Sequence, residues 1–300
     1  MPIVGFINGG SPGGSAYLAA AFRQGLKETG FVDGNNISIE VRWTEGDAER
    51  ASAMVAELLR LPVTLIAAGG GGPVRLAAKS ATATVPIVFV SGADPVSEGL
   101  VTNMARPTGN ITGVTVPTTS LNAKRLEILN QLVPRGDAIA VLANPGVSWT
   151  AARAKDVQTA AHAMGRKIHV VTASRENEID SALKSVVALR AGALLVSADP
   201  LFNGRLRQLV GFTQRYRMPA IFEWREFATA GGLMSYGSDI ANGYREAGVY
   251  AGRILNGTKP SHLPVLQATK FEFVINLATA KELSLTIPQA LLIRADDVIQ

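Results

Sequence analysis

The stretch that decides the fold is residues 64–76, TLIAAGGGGPVRL. Leu65, Ile66, Ala67 and Ala68 form an apolar run too short for a helix, which reads as a buried strand. It stops at Gly69, Gly70, Gly71 and Gly72, and Pro73 then suits the first turn of a helix, where its missing N–H would be unpaired anyway. A strand, a glycine loop and a helix N-terminus in succession aim free backbone N–H groups and a partial positive charge at one point, which favours an anion. Glycine lets a ligand approach the backbone and permits positive φ. The alternative is a tight turn that binds nothing, and only the rest of the chain decides between them.

Before this unit, residues 3–7 (IVGFI) read as a buried strand ending at Asn8, Gly9, Gly10 and Ser11. A helix follows over 15–28, with Leu18, Phe22 and Leu26 on one stripe and Gly30 as its stop. Residues 37–43 alternate as an edge strand does, and 48–60 form an amphipathic helix. After it come a strand at 86–90 ending at Ser91 and Asp94, a short helix over 96–104 and a strand at 111–114. Strands alternating with helices imply parallel β-α-β units in a doubly wound sheet.

The second half repeats the plan. Strands at 138–143, 168–171, 193–197 and 219–222 come in the same order, and their ends carry Asn144, then Ala198 and Asp199, then Glu223 and Trp224. This predicts two lobes of like topology. Ser120 is placed to cap a helix over 121–132. A helix over 240–255, stopped by Asn256 and Gly257, comes too late to finish the second lobe simply and too early to be the tail. The chain is therefore expected to cross between lobes three times, with one lobe formed by 1–116 and 235–262 and the other by 117–234 and 263–300.

With 300 residues, 47% of them hydrophobic and 18% charged, there is ample material for two packed α/β lobes and none of the signature of disorder. The absence of cysteine excludes disulfides, thiolate metal sites and a cysteine nucleophile. A net charge of +5 is scattered without a basic block, which argues against nucleic acid as a partner. No apolar run approaches the ~20 residues of a membrane span. No leader precedes the first strand, so the expectation is either a cytosolic protein or one from which a leader has been removed.

Motifs for chemistry are missing. His162, His169 and His262 have no acidic partner at motif spacing, no GxSxG elbow occurs, and the GGGGP loop lacks the Lys-Ser/Thr ending of a phosphate loop. The expectation is no catalytic residue, no metal and no cofactor. What remains is a set of Gly-, Ser-, Asn- and Asp-rich loops at the C-terminal ends of parallel strands, where open α/β sheets bind ligands.

Several of these stretches, in order, resemble the ABC-transporter substrate-binding protein family typified by tryptophan/tyrosine-type binding proteins. They are GFINGGS (5–11), FRQGL (22–26), PIVFV (86–90) with DPV (94–96), RPTGNITGV (106–114), AGGLMSYG (230–237) and AGRILNG (251–257). The likeness runs from about residue 3 to residue 299. It implies a type I periplasmic-binding fold: two doubly wound parallel-sheet lobes joined by a three-stranded hinge, with a ligand clamped between them. It also implies a periplasmic location and delivery to the transmembrane subunits of an ABC permease. A monomer is expected.

The reading of the loops assigns ligand contacts on both lobes. Gly69, Gly70 and Gly71, helped by Ser11 and Ser91, would take a carboxylate through backbone N–H groups. Asp199 or Glu223 would take an ammonium, and Asn8 and Asn144 would orient polar atoms. Trp224 and Tyr236 would wall an apolar or aromatic side chain, or else pack at the hinge. Asp94 and Asp199, each before a proline, serve either as helix caps or as ligand contacts. The expected ligand is thus an amino acid or related small carboxylate, aromatic ones included. A sensory module with the same clamp, or an enzyme of doubly wound fold, are the alternatives.

Overall fold

The computed structural model describes residues 1–116, 121–133, 137–145, 151–268 and 271–300, apart from the side chain at position 152. The chain opens with β1 (Ile3–Asn8), α1 (Pro12–Glu28), β2 (Ser38–Trp43), α2 (Ala48–Arg60), β3 (Val63–Gly69), α3 (Gly72–Ala81), β4 (Ile87–Ser91) and β5 (Ile111–Thr115). It continues with α4 (Asn122–Asn130), β6 (Ile139–Ala143), α5 (Ala151–Ala163), β7 (Ile168–Thr172), α6 (Glu176–Ala188), β8 (Ala193–Val196), α7 (Pro200–Asn203) and α8 (Leu206–Arg215). Next come β9 (Ala220–Phe222), α9 (Arg225–Thr229), β10 (Met234–Ser238), α10 (Ile240–Leu255) and β11 (Leu266–Gln267). The chain closes with β12 (Phe271–Asn276), α11 (Leu277–Glu282), α12 (Gln289–Arg294) and β13 (Asp297–Ile299).

Two compact units result, Met1–Pro117 with Ile240–Thr269 and Thr118–Asp239 with Lys270–Gln300. The sequence reading closed its segments at 116, 234 and 262. Because β10 is hydrogen-bonded to β9 and β12, and β11 to β5, the observed boundaries fall further along the chain.

The first unit holds a sheet ordered β11-β5-β4-β3-β1-β2, every neighbouring pair parallel. Its central strands β3 and β4 are buried almost throughout, as near-continuous Val, Ile, Leu, Ala and Phe runs require. Helix α2 turns Ala51, Val55 and Leu58 inward, and Asp47 caps it by accepting from Glu49 N at 2.8 Å and Arg50 N at 3.3 Å. Helix α1 begins at Pro12, three residues before the expected start, because Ser11 caps it and Pro12 fits its first turn.

Helix α10 lies against α1 at glycines. A β-carbon at Gly25 would stand 1.8 Å from Arg245 O, and one at Gly248 would stand 2.1 Å from Phe22 O. Only hydrogen at these positions lets the two backbones meet.

The second unit repeats the topology in the order β7-β6-β8-β9-β10, then extends it by β12 and β13. Within this sheet β12 runs antiparallel to β10, and the other neighbouring pairs are parallel. Its core gathers Leu126, Leu129, Ile139, Val141, Leu195, Ile221, Met234 and Ile275.

The helix expected over 96–104 does not form. Asp94 and Pro95 instead start tight turns in which Glu98 N reaches Asp94 O at 3.0 Å and Leu100 N reaches Pro95 O at 2.8 Å, with Gly99 at φ +70°. The Ser120 cap lies outside the described residues.

Candidate binding site

In the first unit the loops of interest follow the C-terminal ends of β1, β3 and β4. Asn8 ends β1 in register with Gly69 of β3, and Gly9 N donates to Gly69 O at 3.1 Å. The Asn8 side chain is buried: its Nδ2 donates to the Tyr244 hydroxyl at 2.6 Å and its Oδ1 accepts from Gly10 N at 2.8 Å. Burial pushes the Tyr244 phenol up, against the opposing pull of the Arg75 charge and of hydrogen bonds to Asn8 and the Gly70 backbone.

The glycines have local reasons to be glycine. A β-carbon at Gly69 would stand 2.2 Å from the Tyr244 hydroxyl, and one at Gly70, where φ is +73°, would stand 2.4 Å from Asn8 Oδ1. Gly71, at φ +132°, is the cap residue of α3 and supplies no side-chain cap to its first turn.

The start of α3 also has an anion from the chain itself. Glu98 Oε1 accepts from Arg75 Nη2 at 2.6 Å and lies 3.6 Å from where a β-carbon on Gly72 would stand. Its other oxygen, Oε2, accepts from the Ser91 hydroxyl at 2.7 Å, while Arg75 Nη1 donates to Val90 O at 3.2 Å. Ser91 is thus committed to a network under the loop. Ser11 caps α1 and accepts from Gly14 N at 3.3 Å. Asp94 is exposed and accepts from Val96 N at 3.0 Å, so it braces the turn that stands in place of the helix it was expected to cap.

In the second unit, Asn144 follows β6 as Asn8 ends β1. Its Nδ2 donates to Asp199 Oδ1 at 3.1 Å, and the same oxygen accepts from Leu201 N at 2.9 Å, so Asp199 caps α7. In the second unit the asparagine after the first strand thus braces the loop after the third, whereas in the first unit Asn8 bonds Tyr244 and Gly10.

Glu223, just past β9, is 3% exposed, and its Oε1 lies 2.9 Å from Nη2 of the fully buried Arg125. Arg125 also donates from Nε to Tyr236 O at 2.7 Å and from Nη1 to Asn122 Oδ1 at 2.7 Å. Burial raises Glu223 to about 7, outweighing the pull of Arg125 and then of Arg153, with Asp199 adding a smaller push upward. Among the described residues, the two Glu223 oxygens, Trp224 Nε1 and Ser235 Oγ are buried without an aligned hydrogen-bond partner. Ser235 sits in register with Phe222, so these atoms gather at one end of β9. Trp224 is buried, and half-buried Tyr236 packs on Phe271 and Phe273 with ring centroids 6.3 and 6.2 Å away.

The structure thus sets Gly70 against Asn8 in one unit and ties Ser91 to the start of α3 through Glu98, while in the other it joins Asn144 to Asp199, and Glu223 through Arg125 to the backbone of Tyr236. Sequence reasoning missed Arg75, Glu98, Tyr244, Asn122, Arg125 and Ser235. Arg125 stands in NAKRLEIL, where a Lys-Arg pair reads as a solvated helix face. Among the described residues, no group of three or more His, Cys, Asp or Glu could hold a metal ion, and no helix is long and apolar enough to cross a membrane.

The sequence model of a family described as ABC transporter substrate binding protein matches residues 13–299. A tyrosine-binding protein of Clostridioides difficile (strain R20291) is 26% identical over 264 residues, covering 88% of this chain and 75% of that protein. An ABC domain from Streptococcus pneumonia, solved in complex with L-Trp, superposes with a TM-score of 0.86 at 24% identity, covering 99% of both chains. A conserved domain protein from Vibrio cholerae superposes with a TM-score of 0.87 at 23% identity, again over 99% of both chains. The fold is that of the type I periplasmic-binding proteins.

Proposed function

We propose, from the premise that this chain belongs to the ABC transporter substrate-binding protein family, that it captures an amino acid with an aromatic side chain and presents it to an ABC permease. The observation that carries this reading is the family match over residues 13–299, which spans every loop described above but the one after β1. The tyrosine-binding relative and the L-Trp complex support the ligand class.

The two units act as lobes that close on the ligand in a hinge-type switch, with no covalent step. Asn8, Ser11, Gly69, Gly70, Gly71, Ser91 and Asp94 form the contact set of one lobe. Asn144, Asp199, Glu223, Trp224 and Tyr236 form that of the other. The ligand carboxylate is held by the backbone N–H groups of the glycine loop, with the charge of Glu98 beside α3 offset by its ion pair with Arg75. The protein works outside the cytoplasm and as a monomer.

Isothermal calorimetry with L-tryptophan, L-tyrosine, L-phenylalanine and glycine tests the reading. Heat of binding from at least one aromatic amino acid and none from glycine is the expected result. No binding by any of the four, or turnover of a bound one, would overturn it. A ligand at 100 times its Kd adds about 2.7 kcal/mol of stability, so a thermal-shift screen gives an independent check.

A further inference from the structure

We propose that Arg125 is a positioning residue of the ligand site: it touches no ligand, but holds the Glu223 carboxylate and the β10 backbone at Tyr236 in the arrangement that recognises an amino acid. The inference rests on the functional reading above and deepens it.

One guanidinium ties three pieces of the second unit together. Asn122 is the first residue of α4, Glu223 follows β9, and Tyr236 lies in the middle of β10, and Arg125 contacts all of them within 2.9 Å. Two of these elements stand next to points where the chain passes between units, since α4 starts shortly after Pro117 and β10 ends just before Ile240. Strand β10 also presses on Glu223 directly, as a β-carbon at Gly237 would stand 2.3 Å from Glu223 O.

Stability alone does not account for this pair. Taking two charges out of water costs so much that a buried ion pair is often replaced by apolar side chains of similar volume without loss. The surroundings of Arg125 are suited to such a replacement, because Leu126, Ile128 and Leu129 beside it in α4 are all fully buried. The pair instead stands at a gathering of buried polar atoms without aligned partners, Glu223 Oε2, Trp224 Nε1 and Ser235 Oγ. Such groups in a native structure call for an explanation, and a site held ready for a polar ligand is one. The charged and titratable groups around Glu223 are Arg125 from α4, Arg153 from α5, Asp199 at the start of α7 and, through Arg125, Tyr236 from β10.

The test compares the wild-type chain with Arg125→Met, Arg125→Lys and the double variant Arg125→Met/Glu223→Leu. It measures thermal stability and binding of L-tyrosine and L-tryptophan by calorimetry. Arg125→Met is expected to bind at least tenfold more weakly and to melt lower, with Arg125→Lys between it and wild type. The double variant, with no unpaired charge left buried, is expected to melt above Arg125→Met while staying at least tenfold weaker than wild type in binding. A double variant with restored stability that binds within threefold of wild type overturns the inference and leaves the functional reading standing.

Should the double variant not fold, Glu223→Gln decides. Wild-type affinity is expected to fall from pH 8 to pH 6 as Glu223 takes up a proton and loosens its hold on Arg125. Glu223→Gln is expected to be weaker throughout and flat over that range, whereas wild-type affinity with a wild-type profile overturns the inference. A wild-type chain that binds neither amino acid overturns the functional reading and this inference with it.

Discussion

Asn8 and Tyr244, 236 positions apart in the chain, share a buried hydrogen bond of 2.6 Å that locks the end of β1 to helix α10. Helix α10 enters the first unit only after the chain has built most of the second. The glycine loop after β3 therefore depends on a residue from a distant part of the sequence. Replacing Tyr244 by Phe removes the partner of Asn8 Nδ2 and leaves a buried donor unsatisfied, which costs about 1–3 kcal/mol. Urea denaturation of Tyr244→Phe should show an unfolding free energy lowered by that amount, read as a lower midpoint at unchanged slope. An unchanged midpoint would mean that the bond is not formed in solution.

The crossing of α1 and α10 makes a second prediction. Gly248→Ala places a methyl group where Phe22 O lies 2.1 Å away, so the helices must separate. Overpacking of this kind costs about 1–3 kcal/mol. A drop of that size is expected in calorimetric melting, while Gly13→Ala, where nothing stands within 4 Å, should change stability little and serves as the control.

Stability should depend on pH through Glu223. Its folded-state value is raised from 4.5 to about 7, so between those limits the folded chain binds more protons than the unfolded one. The contribution is fully present below pH 4.5 and is lost as pH rises through about 7. Glu223→Gln should therefore lose less stability than wild type between pH 5 and pH 8, by a few kcal/mol at most. Parallel pH profiles of the two proteins would show that Glu223 does not titrate in this range.

Asp199 offers a prediction on binding. Asp199→Ala removes the cap of α7 and the acceptor for Asn144, a stability cost of about 1 kcal/mol for the cap. As a proposed ammonium contact it should also weaken amino-acid binding at least tenfold. Asp199→Asn keeps a capping oxygen, so it should recover the stability and not the affinity. Intact affinity in Asp199→Ala would sink the assigned role and leave Asp199 as a cap alone.

The positions of these residues were legible from order alone. A buried run ending in glycine or asparagine, repeated in two halves, places Asn8 and Asn144, the glycine loop and Asp199, and Ser91 and Glu223 at equivalent strand ends, and the two sheets carry them there. Their partners were not legible. The sequence predicts a helix around Glu98, yet Gly99 takes a positive φ and the segment folds into turns that carry the Glu98 carboxylate to Arg75 and Ser91. Nothing local marks Arg125, beside Lys124 in α4, as a cation buried against Glu223.

The division follows from the range of the forces involved. Periodicity, glycine and proline positions and helix caps act over a few residues, so the β-α alternation, the two-fold plan and the loops at the strand ends are written locally in the chain. What each loop residue touches depends on contacts such as Asn8–Tyr244 and Arg125–Tyr236, made across 236 and 111 positions. Long-range contacts of that kind leave no local pattern, because any buried polar group accepts whichever partner packing brings within reach. Only the tertiary structure decided that the glycines fit around Tyr244 and Asn8, and that Glu223 meets an arginine.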